Sequence, residues 1–348
     1  MVVGVFKPGT KISVQVPHSV EGDDPIAGLL VGQSSVMRDI VKIVRQIAQY
    51  PATTVLLQGE SGTGKDVVAR AIHRLSYPPH APFIPINCAA IPETLLETEL
   101  FGVEAGAFTD AKVSRDGYIA RADQGTLFLD EIGSMPLVLQ AKLLRFLETR
   151  TIRRVGGTRE QHVQLRVISA TNEDLPTAVA DKLFREDLYY RLKVITIAMP
   201  PLHEHAEDIE LLALHFLNEE SLQRGTEIRL SAEALALLKQ YSWPGNIRQL
   251  RGVIELACIL CNDLLIRPVD LPDVIHDLQQ VGRRTHAALL NIPQQIQLPA
   301  DGVDMPAFLM DIERVLIHQA LERCDGNQVR AAALLGISRD QLRYRLLR

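Results

Sequence analysis

What this 348-residue sequence lacks narrows its identity before any motif is read. No apolar run approaches the roughly 18 residues that span a bilayer. The opening, Met1-Val2-Val3-Gly4-Val5-Phe6, is too short for an export signal and has no basic flank. A membrane protein is therefore excluded and a cytoplasmic one expected. Cysteine is scarce: the four present suit a reducing compartment. Cys258 and Cys261 form a Cys-x-x-Cys, but within an apolar helical run, and neither Cys88 nor Cys324 brings the second ligand pair a zinc site needs. They read as buried core thiols, with redox sensing as the alternative. His203 and His205 have no His-Glu-x-x-His helix beside them and follow Pro200-Pro201, which marks an ordinary turn rather than a metal site. No internal repeat is found.

What is present is ordinary in bulk, with 47% hydrophobic and 23% charged residues, the balance of a soluble globular protein. At about 150 residues per domain the chain holds a large core and at least one further domain. The net charge of −5 conceals an asymmetry. Residues 327–348 carry five arginines against one acid, Asp340, which is about +4 and leaves about −9 on the remainder. A basic terminus on an acidic body points to a local contact with double-stranded nucleic acid.

Residues 1–27, with Pro8, Gly9, Pro17, Gly22 and Pro25, read as a loose lead-in. From 28 to 200 apolar strands (55–58, 83–87, 126–130, 165–170 and 194–198) alternate with helical patterns, which predicts an α/β fold, a parallel sheet flanked by helices on both faces. After Pro200-Pro201, helices dominate residues 201–277, for example 209–219 and 232–240, as in a small α-helical lid. Residues 278–303 are rich in Gln, Pro and polar residues and read as a linker. Residues 304–348 form a final all-α piece.

Two runs carry chemistry. Gly59-Glu60-Ser61-Gly62-Thr63-Gly64-Lys65 lies between a strand and a helix, the context a phosphate-cradling loop requires. Its glycines let backbone N–H groups close on phosphate oxygens, the helix N-terminus adds its dipole, and Lys65 adds a point charge. Thr126-Leu127-Phe128-Leu129-Asp130-Glu131 is a buried strand ending in two acids, one able to hold Mg²⁺ and the other to orient or deprotonate water. Together they indicate nucleotide hydrolysis.

At the C-terminus, Asn327 to Arg345 divides into two helices around Gly336, with Ser338 as N-cap of the second and Leu342 and Leu346 on its buried stripe. Arg339, Arg343 and Tyr344 then face a major groove; Arg339 and Gln341 are candidates for base edges, Arg343 and Arg345 for phosphates. A charged helical surface with no DNA role is the alternative. An apolar spacing over 310–321 would pair two copies on two half-sites.

The motifs in combination resemble one family. Gly59 to Asp66, Asn87-Cys88-Ala89-Ala90, Glu99-Leu100-Phe101-Gly102, Gly106-Ala107-Phe108-Thr109-Asp110-Ala111, Gly125 to Ile132, Phe184 to Leu192 and Trp243-Pro244-Gly245-Asn246-Ile247-Arg248 are similar to bacterial enhancer-binding proteins. Those are AAA+ P-loop ATPases that activate sigma-54 RNA polymerase, and residues from about 308 look like their Fis-type helix-turn-helix. The resemblance implies that Lys65 binds the β- and γ-phosphates, Asp130 serves Mg²⁺ and Glu131 activates water. It implies that Asn87 holds that glutamate in an inactive pose, that Thr171 and Asn172 sense the γ-phosphate, and that Arg248 in the lid reports bound nucleotide. Arg185 and Arg191 match arginine fingers acting on a neighbouring subunit, in closed rings of about six or seven subunits. A finger in trans is worth about 10³–10⁵ in rate and makes assembly obligatory. Six residues apart on one helix, the two would sit about 120° apart, interface salt bridges being the alternative role.

Two positions depart from expected patterns. Asp66 stands where the general phosphate loop has Ser or Thr, as the family itself has an acid, so Mg²⁺ leans on Asp130, water and phosphate. Asp110 replaces the second glycine of the family's Gly-Ala-Phe-Thr-Gly-Ala loop, which inserts into sigma-54; Asp tolerates φ > 0 better than most residues but adds a charge. Residues 150–159 read as a hairpin with a Gly-Gly turn, which in the family braces that loop; a solvated basic face is the alternative. The leading expectation is a transcription activator that remodels closed polymerase complexes. The alternatives are a DNA-binding regulator that uses ATP as an assembly switch without sigma-54, because of Asp110, and a nucleic-acid remodeller. With no sensing domain before residue 28, regulation is expected from a separate protein or from a segment missing from this sequence.

Overall fold

The computed structural model describes residues 26, 28–107, 113–261, 263–272, 275, 317–321, 323, 324, 327–335 and 342. The chain divides into two compact units, 1–280 and 281–348.

In the first unit, α1 (Ser35–Ala48) starts at Ser34, whose hydroxyl accepts from the Met37 N–H at 3.2 Å as an N-cap. There follow β1 (Val55–Gln58), α2 (Lys65–Ser76), β2 (Phe83–Asn87) and α3 (Glu93–Phe101). A short antiparallel pair, β3 (Gly102–Val103) and β4 (Arg115–Asp116), leads through α4 (Tyr118–Arg121) to β5 (Thr126–Asp130) and α5 (Leu137–Thr149). The hairpin β6 (Thr151–Arg153) and β7 (Glu160–His162) precedes β8 (Arg166–Thr171), α6 (Leu175–Ala180), α7 (Glu186–Leu192) and β9 (Ile195–Ala198).

Five of these strands form one parallel sheet in the order β2-β5-β8-β1-β9. The period-2 geometry of a strand sorts its side chains onto two cores. Leu56, Leu127, Leu129 and Val167 join α3, α5 and α7 on one face, around Leu100, Leu143 and Phe146. Val55, Leu57, Phe128 and Ile168 pack on the other face against Val44 of α1 and Val68 and Ile72 of α2. Strands covered on both sides read as continuous apolar runs, which is why they were legible. β2 is an edge strand and tolerates Pro85, which cannot donate to a ladder.

The central strand, β8, begins on a buried arginine. Arg166 is fully buried at the start of β8 and donates to Ser76 Oγ at 2.8 Å and the Ile47 carbonyl at 3.0 Å. Its Nε has no hydrogen-bond partner among the described residues. Burial pushes the guanidinium down to about 10. No carboxylate faces it in those bonds; the negative C-terminal ends of α1 and α2 offset its charge instead.

A 3₁₀ segment (Leu202–Asp208) enters the lid, built from α8 (Ile209–Arg224), α9 (Ala232–Gln240) and α10 (Asn246–Leu260), with the short parallel pair β10 (Arg229–Leu230) and β11 (Leu265–Ile266). Its core centres on Trp243, Leu250, Ile254 and Phe216. Cys258 is buried in that core and its thiol is pushed up to about 11 by burial, while Cys88 is pushed up to about 12. Such thiols are poor nucleophiles, in line with a core role. His205 is buried against Asp208 (Nδ1 to Oδ2, 3.1 Å). Among the described residues no helix is long and apolar enough to cross a membrane.

Three boundaries differ from those expected. The strand expected at 165–170 is Arg166–Thr171, and that at 194–198 begins at Ile195. The helix expected to stop at 219 runs to Arg224 because Glu220 and Arg224 pair at i,i+4 and Gly225 (φ +64°) supplies the C-cap.

In the second unit, Asn327 accepts the Arg330 N–H at 3.2 Å and so caps the helix Gln328–Leu334. Ala331, Ala332, Ile317, Ala320 and Leu342 form its small core. Ile317 and Ala320 thus lie inside this chain's own unit, where the apolar spacing of 310–321 predicted a face for a second copy. Residues 310–316, the linker 278–303, Ser338, Arg339, Gln341, Arg343, Tyr344 and Arg345 lie outside the described residues, as do Phe108, Thr109, Asp110 and Ala111.

Candidate active site

Because all five strands run the same way, their carboxyl ends share one edge, where open α/β sheets bind ligands. Register brings Gln58 beside Thr171 and Asn87 beside Asp130. Sequence segments up to 113 residues apart (Gln58 and Thr171) therefore meet in one row.

The loop from Gly59 to Gly64 leaves β1 and turns into α2 with Gly62 at φ +81° and Gly64 at +88°. Both lie in the left-handed region that glycine adopts without strain. Thr63 Oγ1 donates to the Glu60 carbonyl at 2.9 Å and stiffens the turn. Lys65 is the first residue of α2 and is buried; its Nζ donates to the carbonyls of Gly59 (2.8 Å) and Glu60 (2.9 Å). Burial lowers the ammonium's pKa, and the nearby Glu131 and Asp130 pull it back up. Lysine and acids thus share one electrostatic neighbourhood.

At the end of β5, Asp130 is half-buried and its Oδ1 accepts the Glu131 N–H at 3.1 Å. Glu131 takes φ 51°, ψ 51°, a left-handed conformation that a non-glycine residue rarely adopts. Such strain is of order 1–3 kcal/mol and gathers at functional positions. Asn87 Oδ1 accepts the N–H groups of Ala89 (2.9 Å) and Ala90 (3.1 Å), and no Asn87–Glu131 hydrogen bond exists among the described residues. In this state the residue caps its own turn. Thr171 is buried and accepts the Glu173 N–H at 2.9 Å, which aims the exposed Asn172 at the cleft.

The lid meets the phosphate loop. A cleft of about 740 Å³ has Glu60, Ser61 and Asn172 on the sheet side and His203, Ser242, Pro244, Gly245, Arg248 and Gln249 on the lid side. Arg248 donates from its backbone to the Gly62 carbonyl at 3.2 Å and from Nη1 to Ser61 Oγ at 2.8 Å. Asn246, fully buried, donates to Glu60 Oε2 and the Ser61 carbonyl. Asp208 accepts the N–H groups of Gln33 (2.6 Å) and Ser34 (2.9 Å), tying the lid entrance to the chain before α1. Neither Asn246 nor Asp208 was picked out as a site residue from sequence. The run Trp243-Pro244-Gly245-Asn246 was a signal for the first; the second carried none.

Arg185 and Arg191 do not line that cleft. Arg185 has extended backbone (φ −78°, ψ 132°) as the N-cap of α7, where Gln140 Oε1 accepts its N–H, and its guanidinium forks onto both oxygens of Asp187. Arg191 donates to the Leu147 carbonyl at 3.1 Å. The expectation that both ride one helix about 120° apart is therefore corrected: α7 starts one residue after Arg185. Both are exposed, among exposed Leu183, Tyr190 and Val194.

Gly106 and Ala107 begin the Gly106–Ala111 loop. The 150–159 segment is a hairpin; six residues, 154–159, join its strands, and Gly156-Gly157 lie in a turn closed by Gly157 N–H on the Arg154 carbonyl. Arg154 bridges Glu104 (3.1 Å) and Asp116 (2.8 Å), and Val155 joins the backbone of Gly102 and Glu104. The hairpin therefore clasps both stems of the Gly106–Ala111 loop.

Three family models match in sequence order: a sigma-54 interaction domain over residues 30–198, an AAA+ ATPase lid domain over 203–288, and a Fis-family bacterial regulatory protein over 308–348. The regulatory protein AtoC of Escherichia coli is 45% identical over 320 residues, covering 92% of this chain and 67% of that protein. This chain belongs to the sigma-54-dependent transcriptional regulators. The nitrogen fixation protein VnfA of Azotobacter vinelandii is 43% identical over 91% of this chain and 58% of its own length. NtrC of Rhizobium meliloti is 38% identical over 95% and 71%. The chain thus spans between 58% and 71% of these relatives. A crystal structure of NtrX from Brucella abortus in complex with ATP is 33% identical, with TM-score 0.64, over 91% of this chain and 68% of that one. The AAA+ fold, the lid and the C-terminal helix-turn-helix class follow from membership.

The residues present fit a magnesium nucleotide. The left-handed glycines open the loop's N–H groups at a helix N-terminus, Lys65 supplies positive charge, and Asp130 offers a hard carboxylate oxygen of the kind Mg²⁺ prefers.

Proposed function

We propose that this protein hydrolyses ATP to activate transcription by sigma-54 RNA polymerase, bound to DNA through its C-terminal helices and assembled as a ring of about six or seven subunits. The observation that carries the reading is the single row at the sheet's carboxyl edge. There Lys65, Asn87, the Asp130–Glu131 pair and Thr171–Asn172 stand together, and the lid reaches the adjoining phosphate loop through Arg248.

Lys65 Nζ and the loop N–H groups would hold the phosphates, and Asp130 would hold Mg²⁺, which when bound supplies neutralisation of developing phosphate charge. Glu131 takes a proton from water as its oxygen attacks the γ-phosphorus and ADP departs. Asn87, free to leave its turn, is the residue that would hold Glu131 back between cycles. Arg185 and Arg191 are exposed, which suits a role at a neighbour's phosphate, and the exposed apolar residues beside them suit a protomer interface. The 154–159 segment, bonded to the stems of the Gly106–Ala111 loop, would carry the motion of the site to sigma-54. Nothing among the described residues favours an assembly switch that acts without sigma-54.

The test is purified protein with sigma-54 polymerase on a promoter carrying upstream sites. ATP-dependent open complexes are expected, with more of them from Asp110→Gly. Glu131→Gln should bind ATP and lose turnover. Normal hydrolysis with no open complexes from either chain would refute the sigma-54 reading.

A further inference from the structure

Asn246 occupies a position that neither helix propensity nor packing explains. It opens α10 with φ +53°, which Asn tolerates and glycine would suit better, and its side chain is fully buried. All three of its side-chain bonds reach distant segments. Nδ2 donates to Glu60 Oε2 at 2.9 Å and to the Ser61 carbonyl at 3.1 Å, while Oδ1 accepts the Leu202 N–H at 2.7 Å. This arrangement fixes the amide's orientation, since two acceptors must face the NH₂ and one donor the oxygen. It also makes the residue hard to replace. A carboxylate there would oppose the Glu60 carboxylate and the Ser61 carbonyl, and an apolar side chain would leave the buried Leu202 N–H unpaired.

The consequence lies two residues on. Arg248, on the same first turn of α10, meets the phosphate loop through its backbone N–H on the Gly62 carbonyl and through Nη1 on Ser61 Oγ. Both bonds depend on the distance between α10 and the loop, and the carboxamide of Asn246 spans that distance. We propose that Asn246 is a positioning residue for the nucleotide site. It latches the lid entrance at Leu202, the N-terminus of α10 and the phosphate loop at Glu60–Ser61, and so holds Arg248 at the loop. This rests on the nucleotide reading of the site for its functional consequence, but the latch itself is defined without ligand.

The full chain is compared with Asn246→Gly, Asn246→Asp, and Asn246→Asp combined with Glu60→Gln. Asn246→Gly keeps the backbone conformation and removes only the side chain, so it guards against misfolding of the aspartate variant. Amide hydrogen exchange without nucleotide is expected to speed up at Leu202 and Arg248 by tenfold or more in Asn246→Gly. ATP affinity is expected to fall at least tenfold in both single variants. In the double variant the carboxamide introduced on the phosphate loop can donate to the carboxylate introduced on α10, reversing the bond's polarity. At least a third of the loss, measured on a logarithmic scale, should then return. Wild-type exchange in Asn246→Gly, or a double variant no better than Asn246→Asp, overturns the latch. Wild-type protein that binds no ATP would instead overturn the nucleotide reading, and the exchange rates would still decide the latch.

Discussion

A methyl group at Gly62 tests whether the lid is seated on the phosphate loop as described. Alanine there pays twice. At φ +81° an L-residue is strained by about 1–2 kcal/mol. Its Cβ would also stand 2.4 Å from the Gly245 carbonyl oxygen and 3.0 Å from Arg248 Cβ, both on the lid. Ordinary contact begins about 1 Å farther out, and the nearer obstacle is backbone that cannot rotate aside. Overpacking of this kind costs about 1–3 kcal/mol. Loss of the Arg248 N–H bond to the Gly62 carbonyl adds roughly 1 kcal/mol. The total is about 3–6 kcal/mol. Gly64→Ala is the matched control: its φ of +88° brings the same strain, but its Cβ meets only Ile247 Cδ1 at 3.8 Å, an ordinary contact. It should lose only about 1–2 kcal/mol. Trp243 is the chain's one tryptophan and is fully buried in the lid core, so its fluorescence during urea unfolding without nucleotide reads the lid directly. Gly62→Ala should lose about 2–4 kcal/mol more than Gly64→Ala. Equal losses would mean that the lid does not rest on the loop, and the geometry of the site would be wrong.

Three further outcomes follow. Arg185→Ala and Glu131→Gln should each lose ATP turnover, and mixing the two should restore part of it if the arginine serves the neighbour's site; mixtures as inactive as their components would confine Arg185 to its pairing with Asp187. Arg343→Ala should weaken DNA binding and lower the slope of log affinity against log salt by about 1, whereas an unchanged slope removes it from the phosphate contacts. At Asp208, burial pushes the carboxyl up, but the Ser34 hydroxyl, the N–H groups of Gln33 and Ser34, and His205 outweigh it and hold the pKa below the ordinary 3.8. A depressed acid contributes stability that is complete above its ordinary value and is lost as pH falls through the folded one. Asp208→Asn should therefore flatten the acid limb of stability below about pH 4, and an acid limb like the wild type's would assign that loss to other carboxylates.

Much of the site was legible because its chemistry is contiguous. The phosphate loop and the Asp130–Glu131 pair each occupy a few consecutive residues, flanked by strands whose apolar runs follow from burial on both faces. β1, β2 and β5 coincide residue for residue with the expected spans. The end of α8 was missed since its last residues, Glu219-Glu220-Ser221-Leu222-Gln223-Arg224, break the apolar period, and a side-chain pair with a glycine cap sustains the helix in its place. Arg185 was placed inside a helix because propensity does not show where Gln140, 45 residues earlier, would capture its N–H.

Local order therefore belongs to the amino-acid string: which segments are strands, where a loop can cradle an anion, where two acids stand together. The tertiary fold decided how they meet. Asn246 finds its partners 186 and 44 residues away, and Asp208 reaches back 175 residues to Gln33. No periodicity encodes such pairs, since a hydrogen bond depends on separation in space, and only the parallel sheet and the closed lid bring those atoms within 3 Å.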